Sequence, residues 1–88
     1  MTQQIFVVRQ ATFTINGNEK TFTSEIVVGA YKTFEAARER MQRKADKYEG
    51  DHYMAIFKRE VDDTNFISLV TGGFGAAFSV TQTTLFDE

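Results

Sequence analysis

The chain has 88 residues, a formal net charge of −2, and neither cysteine nor proline. One hydrophobic core fits that length and a second does not, so residues 1–88 read as a single domain. The lack of cysteine excludes disulfides and thiolate metal sites, and the mild acidity argues against a protein that coats nucleic acid. The opening residues, MTQQIFVV, carry no basic stretch and no long apolar run, so they do not read as a signal peptide. No apolar run approaches the ~20 residues of a membrane span, and the expectation is a cytoplasmic protein with no membrane partner.

Ile5 to Ile15 reads as the first strand. Ile5, Val7, Ala11, Phe13 and Ile15 occupy odd positions, and Gln10, Thr12 and Thr14 even ones, the alternation of a half-buried strand. Asn16-Gly17-Asn18 is a hairpin turn, because Asn and Gly tolerate positive φ. The second strand runs from Lys20 to about Gly29, with Phe22, Ile26, Val28 and Ala30 at even positions. Odd residues of one strand and even residues of the next share a face only across a loop of even length. The preferred register pairs Phe13 with Phe22, Thr12 with Thr23 and Thr14 with Thr21, since such cross-strand pairs are each favourable by ~0.2–1 kcal/mol.

Thr33 to Gly50 is the one segment with a helical period. Phe34, Ala37, Met41, Ala45 and Tyr48 recur at steps of three and four and form an apolar stripe. Thr33 is a suitable N-cap, Gly50 sits where a left-handed terminal residue is wanted, and Tyr31 is placed to staple the first turn. Glu35, Glu39 and Asp46 form an acidic flank. Arg40, Arg43, Lys44 and Lys47 form a basic one.

His52 to Val61 reads as a third strand. Its apolar centre, YMAIF, predicts an inner position in the sheet. Asp62 to Asn65 is a turn, Phe66 to Thr71 a fourth strand, and Ala76 to about Phe86 a fifth. The predicted fold is α+β in two layers: one helix on a mostly antiparallel sheet of four to five strands, in the order β-β-α-β-β-β. In element order it resembles the β-grasp, the fold of ubiquitin-like and ferredoxin-like proteins, without any motif residue of those families.

Few residues point to chemistry. Gly72-Gly73-Phe74-Gly75 lacks the spacing and the Lys-Ser/Thr of a phosphate-binding loop and reads as a hairpin turn or bulge. His52 is the sole histidine, and Asp51 and Tyr53 beside it would point to the opposite face of a strand, so it reads as a surface residue at a strand start. Asp62-Asp63-Thr64-Asn65 lacks the ligand ladder of a calcium loop. No catalytic, metal or cofactor site is expected, and no enzyme activity.

The remaining signal is surplus apolar surface. One helix covers one face of a sheet, yet the strands carry apolar residues of both parities. With Ile5, Val7, Ile26, Met54 and Ile56 beneath the helix, Phe6, Val8, Val27, Tyr53 and Phe57 would lie on the far face, and contiguous patches of that kind mark interfaces. The expectation is a small non-enzymatic protein-interaction module that self-associates as a homodimer, or binds another protein, through a sheet face or edge. Phe6, Val8, Val27, Phe57 and Phe74 are its candidate partner-binding residues. A phage or mobile-element accessory factor would suit such a module. The alternatives are nucleic-acid association through Arg40, Arg43, Lys44 and Lys47, and an enzyme or small-ligand carrier with a pocket between helix and sheet.

Overall fold

The computed structural model describes residues 2–62 and 65–86. The elements are β1 (Thr2–Asn16), β2 (Glu19–Tyr31), α1 (Phe34–Asp51), β3 (Lys58–Asp62), β4 (Phe66–Val70) and β5 (Phe74–Phe86). All four strand pairings are antiparallel and the sheet order is β2-β1-β5-β4-β3. The α+β two-layer class and the element order are those read from the sequence. The central strands β1 and β5 run antiparallel, so the β-grasp likeness goes no further than element order. Of the second turn, Asp63 and Thr64 lie outside the described residues, as do Asp87 and Glu88 of the tail.

The first hairpin closes through Gly17-Asn18, a loop of even length with Gly17 at φ +65. Phe13 pairs with Phe22 and Thr14 with Thr21, two of the three pairs of the preferred register. Thr12 pairs with Ser24 and not with Thr23, because β2 carries a bulge there. The hydroxyl of Thr12 lies 2.8 Å from that of Ser24 and 3.1 Å from that of Thr23, so a trio of hydroxyls replaces the expected pair. A second bulge, at Val28, falls between the Val8–Gly29 and Arg9–Val27 pairs. Each extra residue offsets the two-residue alternation by one. Ile26 thus shares a face with Gln10, while Phe22 shares the opposite face with Phe13.

Thr33 caps α1 from extended backbone (φ −125, ψ 151), its hydroxyl accepting the Ala36 N–H at 3.2 Å. Ala37, Met41 and Ala45 are fully buried against Val8, Ile67, Leu69, Ala76, Phe78 and Val80, with Phe34 and Tyr48 at the margins. The helix runs through Gly50 to Asp51 and is capped by His52, not by glycine. It crosses the sheet from Phe6, whose ring lies 5.9 Å from that of Phe34, to Phe78, 6.0 Å from Tyr48. At about 27 Å it spans little more than half of a molecule measuring 49 × 23 × 20 Å.

The third strand departs from expectation. β3 is a five-residue edge strand, KREVD, and not the inner strand His52–Val61. Its partner β4 also has five residues, so the ladder ends at Lys58–Val70 and leaves nothing for Tyr53–Phe57 to pair with. Arg59 faces the helix and reaches Asp46 at 2.8 Å and Glu49 at 3.3 Å, tying the edge strand to the second half of α1.

Candidate functional site

The apolar residues expected on the far face of the sheet are mostly elsewhere. Val8 is fully buried beneath the helix, and Phe6 and Phe57 pack against the same core. Phe74, the first residue of β5, folds back and lies 5.7 Å from both Phe57 and His52, ring to ring. Of the five candidates only Val27 is well exposed, at 63%. Conversely Met54 and Ile56, expected under the helix, are 83% and 93% exposed, and Tyr53 is 81% exposed.

These three belong to the segment from His52 to Phe57, which joins α1 to β3. The chain turns there through the Ala55 N–H, which donates to the His52 carbonyl at 2.9 Å. His52 ends the helix twice over. Its backbone N–H donates to the Tyr48 carbonyl at 3.1 Å, and its ring Nδ1 lies 2.8 Å from the same oxygen. A carbonyl only accepts, so Nδ1 carries the proton and the free ring nitrogen is Nε2. The imidazole lies 4.3 Å from the Tyr48 ring and 6.2 Å from Phe57, completing an aromatic cluster of Tyr48, His52, Phe57, Phe74 and Phe78. Tyr48 is pressed into it, and burial pushes its phenol above the ordinary tyrosine pKa.

Over this cluster opens a hollow of about 410 Å3, lined by Asp51, His52, Tyr53, Met54, Ala55 and Phe74. Its surface is mainly ring and thioether. The one carboxylate, Asp51, accepts from Lys47 at 3.2 Å. No nucleophile stands beside a base there, so the arrangement can take up apolar side chains but holds no grouping for acid–base or covalent chemistry. Among the described residues no three His, Asp or Glu side chains are grouped to hold a metal ion, and no helix is long and apolar enough to cross a membrane.

The basic flank is partly neutralised. Arg43 pairs with Glu39, one turn earlier, and Lys47 with Asp51, one turn later. Arg40 and Arg43 line a smaller hollow of about 230 Å3 with Tyr31, Ala36 and Glu39, while Lys44 is half-buried. Two of the four cations are thus each paired with a carboxylate on the same helix. Two N–H groups of the glycine loop are taken up by its own bonds. The Gly73 and Phe74 N–H groups both donate to the Thr71 hydroxyl, at 3.2 and 3.0 Å, and that hydroxyl donates to the Phe74 carbonyl.

Sequence reasoning placed Tyr53 in the surplus apolar set but missed Met54 and Ile56, because five consecutive apolar residues look the same in a buried strand and in an apolar loop. One signal was present. Phe66–Thr71 and the preceding turn limit the third strand to a matching six residues, and counting back from Val61 ends it near Ile56, short of Tyr53 and Met54. No protein-family model, curated protein or solved structure matches this chain.

Proposed function

We propose that this chain is a small protein-interaction module whose working surface is the apolar loop Tyr53–Ile56 together with the hollow over His52 and Phe74. The observation that carries the reading is the near-complete exposure of three large apolar side chains within four residues. Scattered single apolar residues are normal on a surface, but such a concentration, beside a concave apolar hollow, is the composition of an interface centre. A protein partner supplies the apolar cover that water does not. The surface reading thus moves from the sheet's far face, where it stood on sequence grounds, to one end of the helix.

The test is hydroxyl-radical footprinting. Met54 is exposed and Met41 is fully buried, so one chain carries both the probe and its internal reference. The oxidation rate of Met54 relative to Met41 is followed in dilute pure protein, in concentrated pure protein and in cell extract. Protection of Met54 in the second or third condition is the expected result. Equal reactivity in all three overturns the reading.

A further inference from the structure

We infer that the partner covering this loop is a second copy of the chain, related by a two-fold axis, with Ile56 of each copy seated in the hollow of the other. The inference rests on the interaction reading above and names its occupant.

Three observations carry it. The first is self-complementarity. A two-fold interface needs projection and recess on the same patch, since each copy offers both at once. Ile56, 93% exposed, stands immediately beyond Asp51–Ala55, whose side chains wall the hollow. The volume of about 410 Å3 admits an aliphatic side chain against the rings of His52 and Phe74.

The second is surface area. A compact monomer of 10.0 kDa exposes about 5,200 Å2, whereas this chain exposes 6068 Å2. Its radius of gyration is 14.4 Å, against about 12 Å for a compact chain of this length. That excess belongs to the elongated chain as a whole, 49 × 23 × 20 Å, and leaves surface to spare for an interface, to which each partner of a standard stable complex contributes about 800 Å2.

The third is charge. The rim of the patch is neutralised within each copy, by Lys47 with Asp51 and by Lys58 with Glu60 at 3.1 Å. Two identical surfaces meeting face to face therefore bring no uncompensated like charges together. Of the other exposed apolar side chains, Val61 and Phe66 lie on opposite faces of the β3–β4 pair, and Phe22, Ile26 and Val27 make a poorer site. They are spread over both faces of β2, with Glu25 among them and a bulge on either side of Ser24–Val27.

The test is molar mass by light scattering across a concentration series, on the full chain and three variants. Ile56→Asp removes the projection, Ala55→Trp fills the hollow without adding charge, and Val27→Lys is the control on β2. Circular dichroism checks each fold. The wild type and Val27→Lys are expected to reach twice the 10.0 kDa of one chain. Ile56→Asp and Ala55→Trp are each expected to weaken association at least about 100-fold, as loss of a central interface residue does. A wild type that stays at one chain's mass at its highest soluble concentration overturns the second copy as occupant. Met54 protection in cell extract would still leave the interaction reading standing. A dimer that survives Ile56→Asp and Ala55→Trp but is lost in Val27→Lys overturns the assignment to the loop.

Discussion

The ring of Phe13 lies directly over Gly75: a Cβ built on that glycine would come within 2.7 Å of Phe13 Cζ and would clash with the Leu69 carbonyl oxygen. This close approach covers one end of the β1–β5 ladder on the sheet face that α1 does not cover. Phe13 is 2% exposed with no second layer above it, because its ring also meets Phe22 edge-on at 5.7 Å and lies beneath the Lys20 ammonium at 4.5 Å. Phe13 is thus covered by its own chain, while Phe22 and Val27 on the same face are each 63% exposed and Tyr53, Met54 and Ile56 in the loop are 81–93% exposed.

Gly75→Ala is accordingly expected to destabilise the fold by about 1–3 kcal/mol, since backbone as well as a ring must move. Urea denaturation measures it. Gly72→Ala, in open space two residues before β5, is expected to change stability by no more than about 0.5 kcal/mol.

The core beneath the helix should respond more strongly. Met41 is fully buried at the centre of the stripe, between Ala37 and Ala45. Met41→Ala leaves a cavity that two alanines cannot collapse to fill, and a loss of about 2–5 kcal/mol is expected by the same denaturation.

Thr33→Ala removes the hydroxyl that accepts the Ala36 N–H and is expected to cost about 1 kcal/mol, with Thr33→Ser close to wild type. Arg59→Ala breaks the ties to Asp46 and Glu49, which are largely solvent-exposed, and a loss of at most about 1 kcal/mol that shrinks with added salt is expected.

Tyr48 sets an alkaline limit. Its folded-state pKa is raised above 10.0 by desolvation, so in alkali the unfolded chain loses the phenolic proton first. Its contribution is fully present below pH 10 and is lost as pH rises through the folded-state value. Stability of the wild type is therefore expected to fall above pH 10, and Tyr48→Phe to fall less steeply. Thermal melts across an alkaline series would show it.

Much of the scaffold was legible from residue order. The helix with its Thr33 cap and its stripe, the Gly17 turn and the Phe13–Phe22 register follow from local rules that act within a few residues. The assignment of faces was not, for a physical reason. Parity carries a face along a strand only while the ladder is unbroken, and bulges at Thr23 and Val28 reset it twice in β2. The third strand failed differently. Whether YMAIF is buried depends on the length of β4, a tertiary fact, and β4 is too short to reach it. Of the site, Phe74 and Phe57 were visible as residues without their setting. The role of His52 as a helix cap inside an aromatic cluster follows from α1 continuing past Gly50, where a glycine stop was expected.

The most direct test of the central claim, that the loop and not the far face of the sheet meets a partner, is the concentration dependence of backbone amide NMR shifts. Residues 52–57 and Phe74 are predicted to shift as the protein is concentrated, while Phe22, Ile26 and Val27 stay fixed. Shifts confined to β2, with 52–57 unchanged, would contradict it.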